Sequence, residues 1–248
     1  MAAYVAWNFG HSRLAGERDV EIASGKSRPG SRVREVERGS GRTGRIMLSS
    51  GQQDRVRDIF RRVVREVWIV TAAYRGHRGG STVTWLSAAS IDAAQPTVLV
   101  GLAPNHFTAE LVEASGEFAA HLLREDQAEL AWHFAAISGR NHDKLAGLEC
   151  EPAAGGLPLL RDCLARVTCR VYDRKATGDR TYYWADVVDV RELGNARPLT
   201  DQAWFAGLPD SRRRMLGEQL LSDVEQQRPW QAEWRSSLSA GDRRPERG

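Results

Sequence analysis

The side chains of this 248-residue chain that could do chemistry fall into a few groups. Hydroxyls crowd one segment, Thr82, Thr84, Ser87 and Ser90, and Thr108 follows a little further on. A hydroxyl both donates and accepts a hydrogen bond, so the row suits a polar ligand, and it equally suits plain β-structure, where threonine is common. Lys144 is one of only three lysines among 35 basic residues, which fits a phosphate contact and fits a solvated surface position as well. Arg180 follows Gly178-Asp179 and offers a fixed positive charge with a planar donor fork, suited to a phosphate or carboxylate and unable to shuttle a proton near neutral pH. His121 sits in an apolar run, where a packed or hydrogen-bonded imidazole is the commoner outcome than a catalyst. The three cysteines, Cys150, Cys163 and Cys169, show no Cys-x-x-Cys spacing, so neither a disulfide framework nor a zinc site is expected. They read as reduced, small apolar residues.

The elements that must position these groups can be read from periodicity. Val56, Ile59, Phe60, Val63, Val64 and Val67 have the spacing of a helix with one buried face. Val67 to Ala72 is a β-branched run ending at the glycine-rich Arg75–Gly80 reversal, and Ser81 to Ile91 reads as a second strand antiparallel to it. Pro96 precedes Thr97 to Leu102, a continuous apolar run of core-strand length. A short helix through Leu111, Val112 and Ala114 closes at Gly116, and Phe118 to Leu123 is another strand. Glu125 and Asp126 open a helix running to Ile137, with Leu130, Phe134 and Ile137 on one face. Residues 166–193 form the clearest hairpin, turning at Ala176-Thr177-Gly178-Asp179. After Thr200, Arg212 to Gln227 reads as a helix with Met215, Leu216, Leu220 and Val224 facing inward, stopped by Pro229. Short strands joined by hairpins, with helices inserted between them, indicate an antiparallel barrel with peripheral helices rather than a doubly wound parallel sheet. No Gly-x-Gly-x-x-Gly or Walker pattern is present.

Composition allows an enzyme-sized globule, with 42% apolar residues. The first fifty residues carry nine basic side chains against five acidic ones, a surplus of four in a chain of net charge +3, so the remainder is close to neutral. The basic balance therefore belongs to the amino-terminal stretch. That stretch mixes Gly, Ser and Arg without period and has no aromatic residue after Phe9, which predicts a disordered tail and argues against stacking on nucleic acid. A start at Met47 is the other reading, since helical amphipathicity begins only after Ser50. No apolar run approaches the ~18 residues of a membrane span, and no secretory leader is apparent, so a cytoplasmic protein without membrane or nucleic-acid partners is expected.

Six ordered pieces carry a resemblance. Thr82 through Asp92, then Pro96 and Val98-Leu99-Val100, is similar to a Thr/Ser-rich strand followed by an acidic residue, a proline and an apolar strand. Asn105-His106-Phe107-Thr108 resembles a Ser/Thr-bearing loop opening a helix, and Phe118 to Leu123 with Glu125-Asp126-Gln127 resembles a phenylalanine-led strand and helix start. Asp143 to Gly147, then Pro158-Leu159-Leu160 with Cys169-Arg170-Val171, and finally Gly178-Asp179-Arg180-Thr181 follow in the same order. Together they resemble the flavin reductase-like, FMN-binding split-barrel family.

The resemblance implies a mainly β (α+β) fold, an antiparallel Greek-key split β-barrel with peripheral helices and a C-terminal helix. The flavin-binding domain would span 51–200, after the disordered basic tail over residues 1–50 and before a helical extension over 201–248 that does not match the short aromatic ending of the compact reductases. Thr82, Val83 and Thr84 would run along the flavin ring edge. Ser87, Ser90 and Thr108 would reach the ribityl chain or phosphate, His121 would stand where the family often has asparagine, and Lys144 would lie in the Asp-Lys/Arg-Phe-x-Gly loop. Arg180 replaces a histidine near the nicotinamide side of the flavin, which would make it the residue acting on the reducing substrate. Trp85 stands where a small residue is usual, packing on the core or narrowing the flavin edge. The implied activity is NAD(P)H-dependent flavin reduction, with FMN, or FAD, receiving a hydride at N5 and reduced flavin serving a partner monooxygenase. The alternative is a flavoprotein that holds FMN tightly and acts on another small substrate without nicotinamide. A homodimer completing the flavin cleft is implied in either case, with the Met215, Leu216, Leu220 and Val224 face extending the contact.

Overall fold

A computed structural model describes residues 48–241, so the expectations for the basic tail lie almost wholly outside the described residues. Helix α1 (Ser50–Phe60) is started by a capping box in which Ser49 and Gln52 satisfy each other's backbone N–H groups. It ends at Arg61, six residues before the expected apolar stripe does. No residue of α1 is buried; Ile59 is 61% exposed and Val64, beyond the helix, 54%. The anticipated buried face is therefore absent among the described residues. Only Val67 of that set enters the core, because the backbone has by then become extended, bonding Leu199 and Leu123.

Strands β1 (Trp68–Tyr74) and β2 (His77–Val83) form a hairpin with a two-residue turn. Both turn residues, Arg75 (φ 49°) and Gly76 (φ 80°), are left-handed, the geometry that matches strand twist in tight hairpins. Gly79 and Gly80 lie in β2 rather than in the turn. A Cβ on Gly80 would sit 2.6 Å from the Phe134 ring, so glycine here permits close approach of a helix.

The expected single strand over 81–91 is broken. β2 stops at Val83, and β3 (Leu86–Ala88) pairs instead with β4 (Thr97–Leu102). With β5 (Glu117–Leu122), β8 (Ala165–Ala176) and β9 (Thr181–Glu192), the seven-stranded antiparallel sheet has the order β2-β1-β5-β8-β9-β4-β3. Its two edge strands are joined by Thr84-Trp85 alone. A two-residue link cannot cross a flat seven-stranded sheet whose strands lie about 4.8 Å apart, so the sheet must curl until its edges meet. This is the split barrel with peripheral helices. β6 (Cys150–Pro152) and β7 (Pro158–Leu160) form a separate small ladder.

Alternation along β1 serves two cores. Val70 and Ala72 face Val100, Phe118, Cys169 and Tyr183, while Val67 and Ile69 face Leu123, Phe134 and Trp204. The second core is covered by α3 (Ala128–Ala136), α4 (Asp201–Gly207) and α5 (Asp210–Gly241), while α2 (Phe107–Ser115), closed by left-handed Gly116 as expected, packs on the first. Ile137 falls outside α3 and is exposed. Cys163 and Cys169 are buried free thiols, raised by burial to about 11 and about 12.

Helix α5 departs most from expectation. Leu216 and Leu220 are buried against Trp204, but Met215 and Val224 are exposed, at 45% and 38%. Pro229 lies inside the helix instead of ending it. Proline removes one i→i−4 bond, a local cost of about 3 kcal/mol, and here the turns on both sides persist. The two leucines turn inward within the chain, so they are not available to extend a dimer contact.

Candidate functional site

Two cavities flank a polar ridge where α5 crosses the barrel. The first, about 300 Å³, lies between the start of α2, the Gly80-Ser81 backbone, Lys144 and the inner side of α5. Its walls include Asn105, His106, Thr108, Leu216 and Asp223. His106 is the N-cap of α2 and makes no side-chain cap bond. The positive end of the helix thus borders this cavity. Thr108 is buried, and so is Lys144, whose Nζ donates to the carbonyls of Phe134 (2.7 Å) and Gly80 (3.2 Å). An ammonium has three N–H groups, which leaves one beyond those two. Burial lowers the Lys144 pKa to about 8.

The second cavity is an aromatic cleft of about 590 Å³ at the edge-joining link, lined by Thr84, Trp85, Ser87, Tyr182, Phe60 and Val64 among others. Trp85 and Tyr182 lie nearly parallel, centroids 6.3 Å apart at 9°. Gly101 lets both rings close in, since a Cβ there would meet them at 3.1–3.2 Å.

Between the cavities runs a continuous chain of side-chain hydrogen bonds. Arg180 Nη1 donates to Gln227 Oε1 (3.0 Å), Gln227 Nε2 to Asn105 Oδ1 (2.9 Å) and Asn105 Nδ2 to Asp223 Oδ1 (2.8 Å). His106 Nε2 meets Asp223 Oδ2 at 3.2 Å. Burial lowers the pKa of His106 in spite of the hydrogen bond and attraction of Asp223, which favour the protonated ring. Burial pushes the Asp223 carboxyl upward, but the hydrogen bond and charge attraction of His106, with the hydrogen bond from Asn105, outweigh it and hold Asp223 below the usual carboxylate range.

Arg180 is 4% exposed. Its guanidinium lies 5.1 Å from the Trp85 ring centroid and donates also to the Asp179 carbonyl (2.5 Å). Burial lowers its pKa, and it makes no ion pair among the described residues. The turn beneath it brings α5 close: Gly178 has φ 89°, and a Cβ there would lie 2.3 Å from the Gln231 Cα. Arg180 therefore sits under α5 rather than at an open mouth.

The residues singled out from sequence divide accordingly. Thr108 and Lys144 share the first cavity, Thr84 and Ser87 share the cleft, and Arg180 lies between, touching Trp85. Thr82 is buried and donates to the Ala131 carbonyl (2.7 Å), tying β2 to α3, while Val83 is part of the inner core. His121 is wholly buried: the Leu160 N–H donates to its Nε2 and its Nδ1–H to the Ile69 carbonyl, both at 3.0 Å. Ser90 lies past β3, its Oγ accepting from the Asp92 N–H (3.0 Å), and lines neither cavity. Asp223 and Gln227 were not anticipated. The signal lay in spacing, because Leu216, Leu220, Asp223 and Gln227 follow one another by four, three and four residues on one helix face.

An antiparallel barrel curled until its edges meet, with helices packed around it, defines a split-barrel fold. The chain belongs to the flavin reductase-like family, matching the flavin reductase like domain over residues 60–204. It is 34% identical over 160 residues to the actinorhodin polyketide dimerase of Streptomyces coelicolor, covering 63% of this chain and 88% of that one. It is also 34% identical over 145 residues to the reductase component of the 4-nitrophenol 4-monooxygenase/4-nitrocatechol 2-monooxygenase of Rhodococcus opacus, covering 57% and 75%. A solved nitrilotriacetate monooxygenase component B homologue from Mycobacterium thermoresistibile superposes with a TM-score of 0.53 at 27% identity, covering 60% of this chain and 82% of that one. The protein is accordingly a flavin-dependent oxidoreductase. Helix α5 lies beyond the matched residues.

Proposed function

We propose that the protein is an NAD(P)H-dependent flavin reductase that binds FMN, with FAD as the alternative flavin, and delivers reduced flavin to a partner monooxygenase. The observation that carries this reading is the pairing of the two cavities. One offers a buried ammonium, a hydroxyl and a helix N-terminus, the groups that hold a phosphate; the other offers flat aromatic walls and hydroxyls for a ring system. Thr108 and Lys144 would hold the flavin phosphate, and Thr84, Ser87 and the Thr84-Trp85 backbone the ring edge. The bound flavin supplies hydride acceptance from nicotinamide, and the protein's part is to hold two planar rings together and exclude water. Arg180 would bind the phosphates of the reducing dinucleotide. The relative named as a monooxygenase reductase component supports this division of labour.

A homodimer fits the same reading. Phe60, Val63 and Val64 are exposed, and Phe60 and Val64 line the aromatic cleft, so a second copy laid there would close it. Among the described residues no helix is long and apolar enough to cross a membrane, in keeping with a cytoplasmic reductase.

The second reading, a tightly bound flavin acting on another small substrate, is favoured by the relative named as a polyketide dimerase and by the stacked Trp85–Tyr182 pair, which suits a planar aromatic substrate. Purified protein separates the two. Oxidation of NADH or NADPH that requires added FMN or FAD supports the reductase. A yellow protein that neither nicotinamide bleaches would overturn it in favour of the second reading.

A further inference from the structure

We infer that α5 acts as an intramolecular plug, Asp223 and Gln227 occupying a phosphate-binding site formed by Asn105, His106 and Arg180. Three donors converge on the ridge, Asn105 Nδ2, His106 Nε2 and Arg180 Nη1, and all three are answered by acceptors from α5 at 2.8, 3.2 and 3.0 Å. One carboxylate and one amide carbonyl thus supply the three oxygens that a phosphate ester would supply alone.

The charge balance shows which occupant the site suits better. Arg180 and Lys144 are both buried and neither makes an ion pair among the described residues; Asp179 and Asp223 attract Arg180 without contacting its guanidinium through a carboxylate, and burial outweighs that attraction. A desolvated cation whose hydrogen bonds go to neutral groups is costly, and an anion set directly on it, carrying more charge than one carboxylate, relieves it. The hold of α5 on the ridge is also graded. Leu216 and Leu220 anchor its first half in the core, whereas its grip at the ridge is polar, and Pro229 removes a helical hydrogen bond two residues past Gln227. The apolar anchor can stay in place while the polar segment yields.

This inference rests on the reductase reading for the source of the phosphate, which we assign to the diphosphate of the reducing dinucleotide. The flavin's own phosphate is the other source of the same chemistry. The test compares the full chain with Asp223→Asn, which keeps shape and one acceptor but removes the charge, and with Gln227→Met. Three quantities are measured: KM for NADH and NADPH, Kd for FMN and riboflavin, and the melting shift caused by inorganic pyrophosphate. Removing a like charge beside a phosphate should tighten binding about tenfold. The expected result is a lower nicotinamide KM in both variants, a riboflavin Kd within about twofold of the unaltered chain, and a larger pyrophosphate shift. A tightening confined to FMN, with riboflavin unchanged, also supports the plug and moves its ligand to the flavin. Phosphate ligands binding no better, or worse, in both variants would overturn it. A chain that neither oxidises nicotinamide nor binds flavin refutes the reductase reading instead, and the pyrophosphate shift then decides for or against the plug by itself.

Discussion

His121 makes the fold acid-sensitive in a way that can be isolated. Burial lowers its pKa from 6.5 to about 4; the hydrogen bond to the Ile69 carbonyl opposes that shift, and the Arg166 guanidinium adds to it. The Leu160 N–H bonded to Nε2 fixes the neutral form, since a protonated ring would set two donors against each other. In the unfolded chain the imidazole takes up a proton as pH falls through 6.5; in the folded chain it does so only near 4. Over that window the unfolded state binds more protons, so stability falls with pH. The loss is about 2 kcal/mol between pH 7 and pH 5 and about 3 kcal/mol by pH 4. His121→Asn has no titrating group, yet its amide can both donate and accept. Denaturant unfolding of the two proteins from pH 7 to pH 4.5 is the assay, because carboxylates and other histidines titrate alike in both and cancel in the difference. The variant should start less stable and gain on the parent by about 2 kcal/mol at pH 5. Parallel profiles would show that His121 is not held neutral, and the reasoning from its two hydrogen bonds would fail.

Arg180→Ala should raise the nicotinamide KM about tenfold or more with FMN affinity little changed, as expected for one lost charged hydrogen bond; unaltered steady-state constants, or abolished flavin binding, would refute its assignment. Gly178→Ala should lower the melting temperature and make residues beyond Pro229 easier to cleave with protease, because left-handed backbone and a 2.3 Å approach to Gln231 leave no room for a Cβ; an unchanged melting curve and digestion rate would contradict that packing. Light scattering at micromolar concentration should give a dimer, and Val64→Asp a monomer with weaker flavin binding; a flavin-binding monomer in the parent chain would sink the proposed closure of the cleft. A chain beginning at Met47 should match the full chain in melting temperature and flavin affinity, since it keeps the Ser49–Gln52 capping box that starts α1; a clear loss of either would make the tail part of the domain.

How much could be read in advance depended on whether the signal was local. The β8–β9 hairpin was legible because alternation and a Gly-Asp turn occupy one continuous segment, and the Cys163 and Cys169 thiols are buried as small apolar residues should be. The break between β2 and β3 was not, since Thr84-Trp85 is as strand-compatible as its neighbours; the chain leaves one sheet edge there because the curled barrel brings the other within reach. The α1 stripe misled because, of its apolar residues, Phe60 and Val64 line a cleft edge, Ile59 and Val63 are exposed, and only Val67 enters the core. On α5, Val224 is apolar but turned outward, while Asp223 and Gln227 are polar and turned inward. Hydrophobicity alone picks the wrong neighbour at that position. Spacing picks the right one, because a buried helical face continues through polar residues wherever the surface below supplies hydrogen bonds.

The same ridge explains why the fold retains two expensive cations. Holding Lys144 at a pKa of about 8 instead of 10.5 costs about 3 kcal/mol at every pH below 8, relieved only as pH rises toward 10.5. Carbonyl acceptors satisfy its hydrogen bonds without neutralising its charge; the Arg180 hydrogen bonds likewise go to Gln227 and the Asp179 carbonyl, and burial outweighs the attraction of Asp179 and Asp223. If these groups served packing alone, apolar residues of similar volume would do so at less cost. Their persistence on either side of Asn105 is what an anion-binding surface requires, where the penalty in the free protein is offset on binding. Helix α5 then has a defined task. It keeps the donors hydrogen-bonded and away from bulk water while no ligand is present, with one carboxylate and one amide that a doubly charged phosphate can outcompete.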